Sequence, residues 1–232
     1  MPRTISATPW TALTLALLLA LLAWDLSRLD MVLAAWMGGA VGFPLRGHWL
    51  LTVVLHDGAR RAGWLLVVAL CLALWWPFGP LKRVPATVRL QLVATTLLSL
   101  LAVVALKSGS STSCPWDLQA FGGVAQHASH WSALADGGPG RCFPAGHAST
   151  GFAFLGGYFV FRREHRRMAR IWLLSALATG LSLGLAQQLR GAHFMSHTLW
   201  TAYLCWCVAI GMDLVWPRLT QRLPAILLSD EV

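Results

Sequence analysis

Six apolar segments, separated by short polar or basic stretches, constrain the fold most strongly. They are Ile5–Trp24, Trp64–Phe78 with a helical start near Trp49, Val88–Leu106, Ala148–Phe161, Ile171–Ala186 and Thr198–Trp216. A helix needs about 20 apolar residues to cross a bilayer, so the shorter segments must continue into polar residues covered by protein or water. Only 12% of the residues are charged, against about 25% in soluble domains. The segments predict an all-α polytopic membrane protein with six transmembrane helices, forming one domain over residues 1–232.

The first segment has a second interpretation as a secretory signal, because a short charged start precedes its apolar middle. Residues 20–23 (ALLA) would be a poor cleavage site, which favours a retained span.

Basic residues predict the orientation. The segment 162–170 carries five arginines, Lys82 and Arg83 lie in a short loop, and Arg218 follows the last span. The positive-inside rule places these residues in the cytoplasm and puts 25–63, 107–147 and 187–197 on the other side. The formal charge of +9 does not indicate a nucleic-acid partner, because the basic residues lie between apolar runs. We expect the bilayer of a bacterial inner membrane as the partner, with the outer segments in the periplasm.

Three outer stretches carry most of the candidate chemistry: Lys107-SGSSTS-Cys114-Pro115, Arg141-CFPAG-His147 and Arg190-GAHFMS-His197. Arg60 precedes the second span on the same predicted side. Basic residues kept on the outer side against the positive-inside rule indicate an anionic ligand, the alternative being ordinary surface arginines.

Arg190, His193 and His197 share one helical face because they lie three and four residues apart. Three interpretations stay open for the two histidines. They could begin a zinc site, although it would need further ligands, or they could be a structural pair. In the third, one imidazole attacks phosphorus while Arg190 holds phosphate oxygens.

The second stretch places a tight Pro-Ala-Gly turn directly before His147. Backbone N–H groups near Gly146, at a helix start, would suit an anion, and His147 would suit a proton donor to a leaving oxygen. The alternative for His147 is an ordinary helix-start residue. Lys107, at the end of a span, is either an interfacial anchor or a cation for phosphate.

In this order and spacing, the three stretches resemble the type-2 phosphatidic acid phosphatase (PAP2) superfamily, which carries K-x6-RP, PSGH and SR-x5-H-x3-D. The matching residues here are Lys107, Pro115, Pro144, Gly146, His147, His193 and, in the place of aspartate, His197. The resemblance implies that His193 is the nucleophile and forms a phosphohistidine, that His147 protonates the leaving group, and that Lys107 holds the phosphoryl group. It implies no metal and no other cofactor.

The chain departs from the family pattern at four positions. Cys114 and Gln187 stand where the family has arginine, Ala145 stands where it has serine, and His197 replaces the orienting aspartate. Arg190, Arg141 and Arg60 could restore the missing positive charge. Asp117 could supply the orienting carboxylate. His197 as the nucleophile is a less suitable alternative, because Thr201 occupies the position four residues later.

Cys114 and Cys142 both lie on the predicted outer side, where an oxidising periplasm permits a disulfide. The alternative is two unpaired thiols.

The sequence thus predicts a membrane lipid phosphatase that hydrolyses the phosphate monoester or diphosphate of a lipid. Candidate substrates are undecaprenyl diphosphate, lipid A, phosphatidate and phosphatidylglycerophosphate. Two alternatives stay open: a phosphotransferase on the same scaffold, and a non-catalytic lipid-binding or transport protein.

Overall fold

The computed structural model describes residues 8–220, and every regular element in that range is helical. The helices are α1 (Thr8–Leu26), α2 (Leu29–Met37), a π-helical stretch (Leu50–Gly58) that continues directly into α3 (Ala59–Leu72), α4 (Ala86–Ser108), α5 (Ser149–Phe152), α6 (Gly156–Phe161), α7 (Arg166–Leu189) and α8 (Met195–Thr220). A 3₁₀ turn joins α5 to α6, so Ser149–Phe161 forms one short apolar helix. The all-α prediction is confirmed for the described residues.

Three helices, α4, α7 and α8, are long and apolar enough to cross a membrane. The α1–α2 pair, bent by 65°, makes a fourth if it is counted as one span. The predicted first span begins at Ile5, and residues 5–7 lie outside the described range. The count of six spans stays a prediction.

The other two predicted spans are shorter helices with identifiable ends. The second ends at Leu72 rather than Phe78, and Pro77 disfavours helix in the residue before it. The helix Ser149–Phe161 is about 20 Å long at 1.5 Å per residue, which is less than the roughly 30 Å of a bilayer core. The polar segment before Ser149 must therefore lie among protein atoms.

Close helix packing surrounds this short helix. Glycines of the Ser149–Phe161 helix face α4 and α7: a Cβ added to Gly156 would lie 2.4 Å from the Thr95 methyl, and one added to Gly151 would lie 2.2 Å from the backbone nitrogen of Gly180. Because neither position has room for a side chain, the helices approach almost to backbone contact. Phe152, which is fully buried, then fills the core between them.

The ends of the helices bring the three sequence stretches together. The last residues of α4 and α7 and the first residues of α5 and α8 all lie at one end of the bundle. Ala145 is tied to the first turn of α8, because its N–H donates to the His197 carbonyl at 3.2 Å and its carbonyl accepts from Thr201 Oγ1 at 3.1 Å. The Trp116 N–H likewise donates to the Gly191 carbonyl at 2.9 Å. We call this end of the molecule the site end.

Candidate active site

His193 and His197 form a buried pair at the start of α8. His193 is 6% exposed and His197 is 0% exposed, and their Nδ1 atoms lie 3.5 Å apart. Because Nδ1 of His193 faces His197, Nε2 is the ring nitrogen of His193 that is left to contact a ligand. Burial, followed by the charge of Lys107, holds the pKa of His193 well below its usual value, so its ring is neutral near pH 7. A neutral imidazole has a lone pair that can act as a nucleophile.

A disulfide joins Cys114 to Cys142 and links two of the three stretches. The backbone runs beside it in register, since the N–H groups of Arg141 and Cys142 donate to the carbonyls of Ser110 and Thr112, each at 2.8 Å. The sulfur of Cys142 lies 3.5 Å from Nδ1 of His193. The disulfide therefore packs directly against one edge of the His193 ring.

Lys107 reaches from the last turn of α4 over the turn that precedes His147. A Cβ added to Gly146 would lie 3.5 Å from Lys107 Cδ, which shows how closely the lysine stem follows the backbone there. The charge of Lys107 acts on both His147 and His193. Lys107 is thus positioned to share one anion with both rings.

His147 carries a ring nitrogen that is available for chemistry. Its Nε2 is buried and has no hydrogen-bond partner among residues 8–220. Burial, together with the positive charges of His56, Lys107 and two arginines, lowers its pKa to about 3. A phosphate group would supply the missing partner and raise the pKa of His147 by neutralising the surrounding cations.

Arg190 lies beside Gln187, the position at which the resembled family has arginine. Its Nη1 donates to Gln187 Oε1 at 3.0 Å, and its Nε donates to the Arg46 carbonyl at 3.1 Å. The guanidinium also lies 5.8 Å from the ring of Trp116, which Arg46 covers at 4.5 Å. Burial lowers the pKa of Arg190, with the nearby Asp57 opposing that effect, and the group stays charged near pH 7.

Three of the site residues predicted from the sequence, Asp117, Arg141 and Arg60, have other partners or are exposed. Asp117 accepts a hydrogen bond from Trp116 Nε1 at 3.0 Å and makes no hydrogen bond with His193 in the described part of the chain. Arg141 is exposed, with its backbone at φ 57°. Arg60 is exposed as well, and only its charge acts on His147.

A second polar cluster, centred on Asp25, adjoins the histidine pair and was missed in the sequence. Asp25 Oδ2 accepts hydrogen bonds from Trp200 Nε1 at 3.0 Å and Trp131 Nε1 at 3.1 Å. His130 Nε2 lies 3.3 Å from the same oxygen, at ion-pair distance, although its angle falls outside hydrogen-bond geometry. The ring of His130 stands edge-on to that of His197, with centroids 5.7 Å apart. Asp25 and His130 lie 105 positions apart in the chain, so no spacing rule could pair them.

An apolar groove of about 460 Å³ opens below His147. Its walls come from α3, the Ser149–Phe161 helix and α7, and include Gly63, Leu66, Thr150, Phe154, Ile171 and Trp172. Thr150, which lines the groove, lies three residues after His147, so the groove begins close to the polar site.

Metal-ligating atoms meet at one place in the described part of the chain, at Cys114, Cys142 and His193. Two of these three are disulfide sulfurs, which lack the thiolate charge that a metal site uses. These three residues therefore do not fit a metal.

Taken together, the neutral rings of His193 and His147 face a group of lysine and arginine side chains, with an apolar groove beside them.

A family model described as the PAP2 superfamily matches residues 89–221, more than half of the chain. No curated protein and no solved structure matches it.

Proposed function

The chain belongs to the PAP2 superfamily, and from that premise we propose that it is a membrane-embedded lipid phosphatase that works through a phosphohistidine on His193. Membership itself supports a phosphoester hydrolase in general. The lipid part of the proposal rests on the apolar helices and on the apolar groove whose wall includes Thr150, three residues after His147. The observation that carries the catalytic part is the meeting of His193, His147 and Lys107 around one space at the site end.

The first step is attack of the His193 Nε2 lone pair on phosphorus. The bond between phosphorus and the lipid oxygen breaks, and a proton from His147 goes to that oxygen. Lys107 and Arg190 hold the phosphoryl oxygens as charge shifts during the transfer. His147 is neutral in the empty site, so it takes its proton up from solvent or from a substrate monoanion when the phosphate binds.

The second step is hydrolysis of the phosphohistidine. Neutral His147 accepts a proton from water, and the water oxygen attacks phosphorus. The bond between phosphorus and His193 Nε2 breaks, which returns the lone pair to the ring and releases inorganic phosphate.

His197 takes the orienting role that the family gives to aspartate. With the proton of His193 on Nδ1, that N–H faces Nδ1 of His197, which accepts through its lone pair. This tautomer leaves the lone pair of His193 on Nε2, where the attack requires it.

The orientation in the proposal is a six-span protein with its site end in the periplasm. The segment 162–170, with its five arginines, covers the connection between α6 and α7 and the first residues of α7, at the opposite end of the bundle. The positive-inside rule assigns that end to the cytoplasm. A bacterial inner membrane provides this arrangement together with the oxidising compartment that a disulfide requires.

Phosphate release from a panel of lipids by the purified protein tests the function. The panel contains phosphatidate, phosphatidylglycerophosphate, an isoprenyl diphosphate and lipid A, and His193→Ala is the matched variant. We expect release from at least one lipid by the wild type and background release by His193→Ala. Equal release above background by the two proteins would contradict catalysis by His193, and background release by both would leave a non-catalytic lipid-binding role.

A further inference from the structure

His56 adds a fourth imidazole to His193, His147 and His197, from a helix that carries none of the three family motifs. Its ring stacks on that of His147, with centroids 3.7 Å apart and planes inclined by 29°. It lies in the π-helical stretch before α3, and such stretches are frequent at functional sites. The contact therefore joins a helix outside the three motifs to the candidate proton donor.

Helix packing explains why the two rings meet. His56, Ala59 and Gly63 follow one another on the helix face that opposes His147 and Thr150. A Cβ added to Gly63 would lie 2.5 Å from the Thr150 methyl, so the two helices are in closest approach just below the rings. This approach places the imidazoles face to face at the upper end of the apolar groove.

The contacts of His56 leave one nitrogen free to bind a ligand. Nδ1 lies 2.8 Å from Asp57 Oδ1, which holds a proton on that nitrogen. The side chain of His56 is 27% exposed, so Nε2 is accessible to a ligand. With both nitrogens protonated, the ring is a cation that donates through Nε2.

The charges around the ring pair call for an anion. Lys107, Arg190 and Arg60 all act on His147 with positive charge, as does His56 itself. Asp57 is the carboxylate that faces this group, and it is already committed to His56. A dianionic phosphoryl group placed between the rings and Lys107 would balance the excess charge.

We propose that His56 is a phosphate-binding residue, whose protonated ring, held by Asp57 and stacked on His147, donates Nε2–H to a phosphoryl oxygen. The inference rests on the proposed function for the identity of the anion. His56 supplies positive charge in a site where Cys114 and Gln187 stand in place of two family arginines.

Binding of inorganic phosphate to the purified full-length protein, measured by titration calorimetry, tests the proposal without requiring turnover. His56→Gln should weaken phosphate binding about tenfold, the effect of losing one charge-assisted hydrogen bond, whereas His56→Arg should stay within about threefold of the wild type. His56→Phe keeps a ring against His147 and should bind as weakly as His56→Gln. His48→Gln, eight residues earlier and exposed, is the matched control and should bind like the wild type.

Three results would overturn the proposal: no phosphate binding by the wild type, wild-type affinity in His56→Phe, or an affinity of His56→Arg as low as that of His56→Gln. Loss of binding in His56→Gln without lipid phosphate release by the wild type would instead separate the two claims. In that case the anion site stands, and the phosphatase assignment fails.

Discussion

Arg190 shows how positive charge can return to a site from a neighbouring position. The chain has Gln187 where the PAP2 motif has arginine. The guanidinium of Arg190 folds back one helical turn, and its Nη1 donates to Gln187 Oε1 at 3.0 Å. Trp116 and the Arg46 carbonyl hold the guanidinium on its other sides. The site thus keeps an arginine close to the position that the motif would have given it.

Arg190→Ala should lower kcat/KM for the best lipid substrate by about 10- to 100-fold, because one charge-assisted contact to the phosphoryl group is lost. Arg170→Ala is the matched control, since Arg170 is exposed near the other end of the same helix. Steady-state release of phosphate measures both variants. Wild-type kcat/KM in Arg190→Ala would remove the residue from the phosphate clamp.

His147 predicts how the stability of the protein depends on pH. Its pKa is about 3 in the folded protein, against 6.5 for an unperturbed histidine, so the unfolded chain takes up the proton first as the pH falls. The free energy of unfolding should therefore decrease as the pH falls below about 6.5.

His147→Phe keeps a ring on His56 and removes this titration. Its thermal midpoint, followed by tryptophan fluorescence in detergent, should fall less between pH 7.5 and pH 5 than that of the wild type, in the range where the unfolded histidine takes up its proton. An equal or larger fall in His147→Phe would contradict the burial of a neutral His147.

The sequence predicted the motif histidines because their spacing from proline and glycine is local. Asp25, His130 and the stacked ring of His56 have no such local signal. Their positions depend on the bend between α1 and α2, on the loop 122–147 and on the approach of α3 to the Ser149–Phe161 helix, all of which are tertiary features.

At the scale of the elements, the approach of α3 to the helix Ser149–Phe161 controls the distance between His56 and His147. Gly63→Ala would place a Cβ 2.5 Å from the Thr150 methyl, and threonine cannot easily turn that methyl away. We expect a loss of about 1–3 kcal/mol in the free energy of unfolding, together with lower phosphatase activity.

Thr150→Ser removes the obstructing methyl, so the double variant Gly63→Ala, Thr150→Ser should recover most of both losses. Chemical denaturation in mixed micelles and lipid phosphate release measure the two effects. No recovery in the double variant would show that the contact does not control the site.

The disulfide ties the Lys107 and His147 stretches together at the edge of the His193 ring. Replacing Cys114 and Cys142 with serine opens a loop whose ends are 28 positions apart and should cost about 3–4 kcal/mol in the chain-entropy model. We expect a lower thermal midpoint and reduced phosphate release. Mass spectrometry of unreduced protein checks the bond itself, and two free thiols would contradict it.

Helix bounds were predictable only where the apolar run and the helix coincide. The segments Val88–Leu106, Ile171–Ala186 and Thr198–Trp216 lie within α4, α7 and α8. The helix that ends at Leu72 begins at Leu50, which confirms the predicted helical start near Trp49, although its π-helical stretch contains the polar residues His56 and Asp57. Here the polar residues inside a helix lie at the site, and a hydropathy pattern alone does not identify them.

At the scale of the whole molecule, the site end carries positive charge that the positive-inside rule disfavours. Lys107 and Arg190 belong there, together with Arg46, Arg60, Arg61 and Arg141, whereas the five arginines of 162–170 lie at the other end. With the site end in the periplasm, as we propose, an anionic substrate explains why these cations lie there. The six-span count and the periplasmic location remain predictions, as does the single domain over residues 1–232.

The central claim is that three distant stretches form one site in which His193 attacks phosphorus. Rapid mixing with a lipid phosphate labelled in its phosphoryl group, followed by an alkaline quench and peptide mapping, tests it most directly. The account predicts an acid-labile, alkali-stable label on His193, and no label in His193→Ala. Label on His197 instead, or phosphate release by the wild type without any labelled histidine, would contradict it.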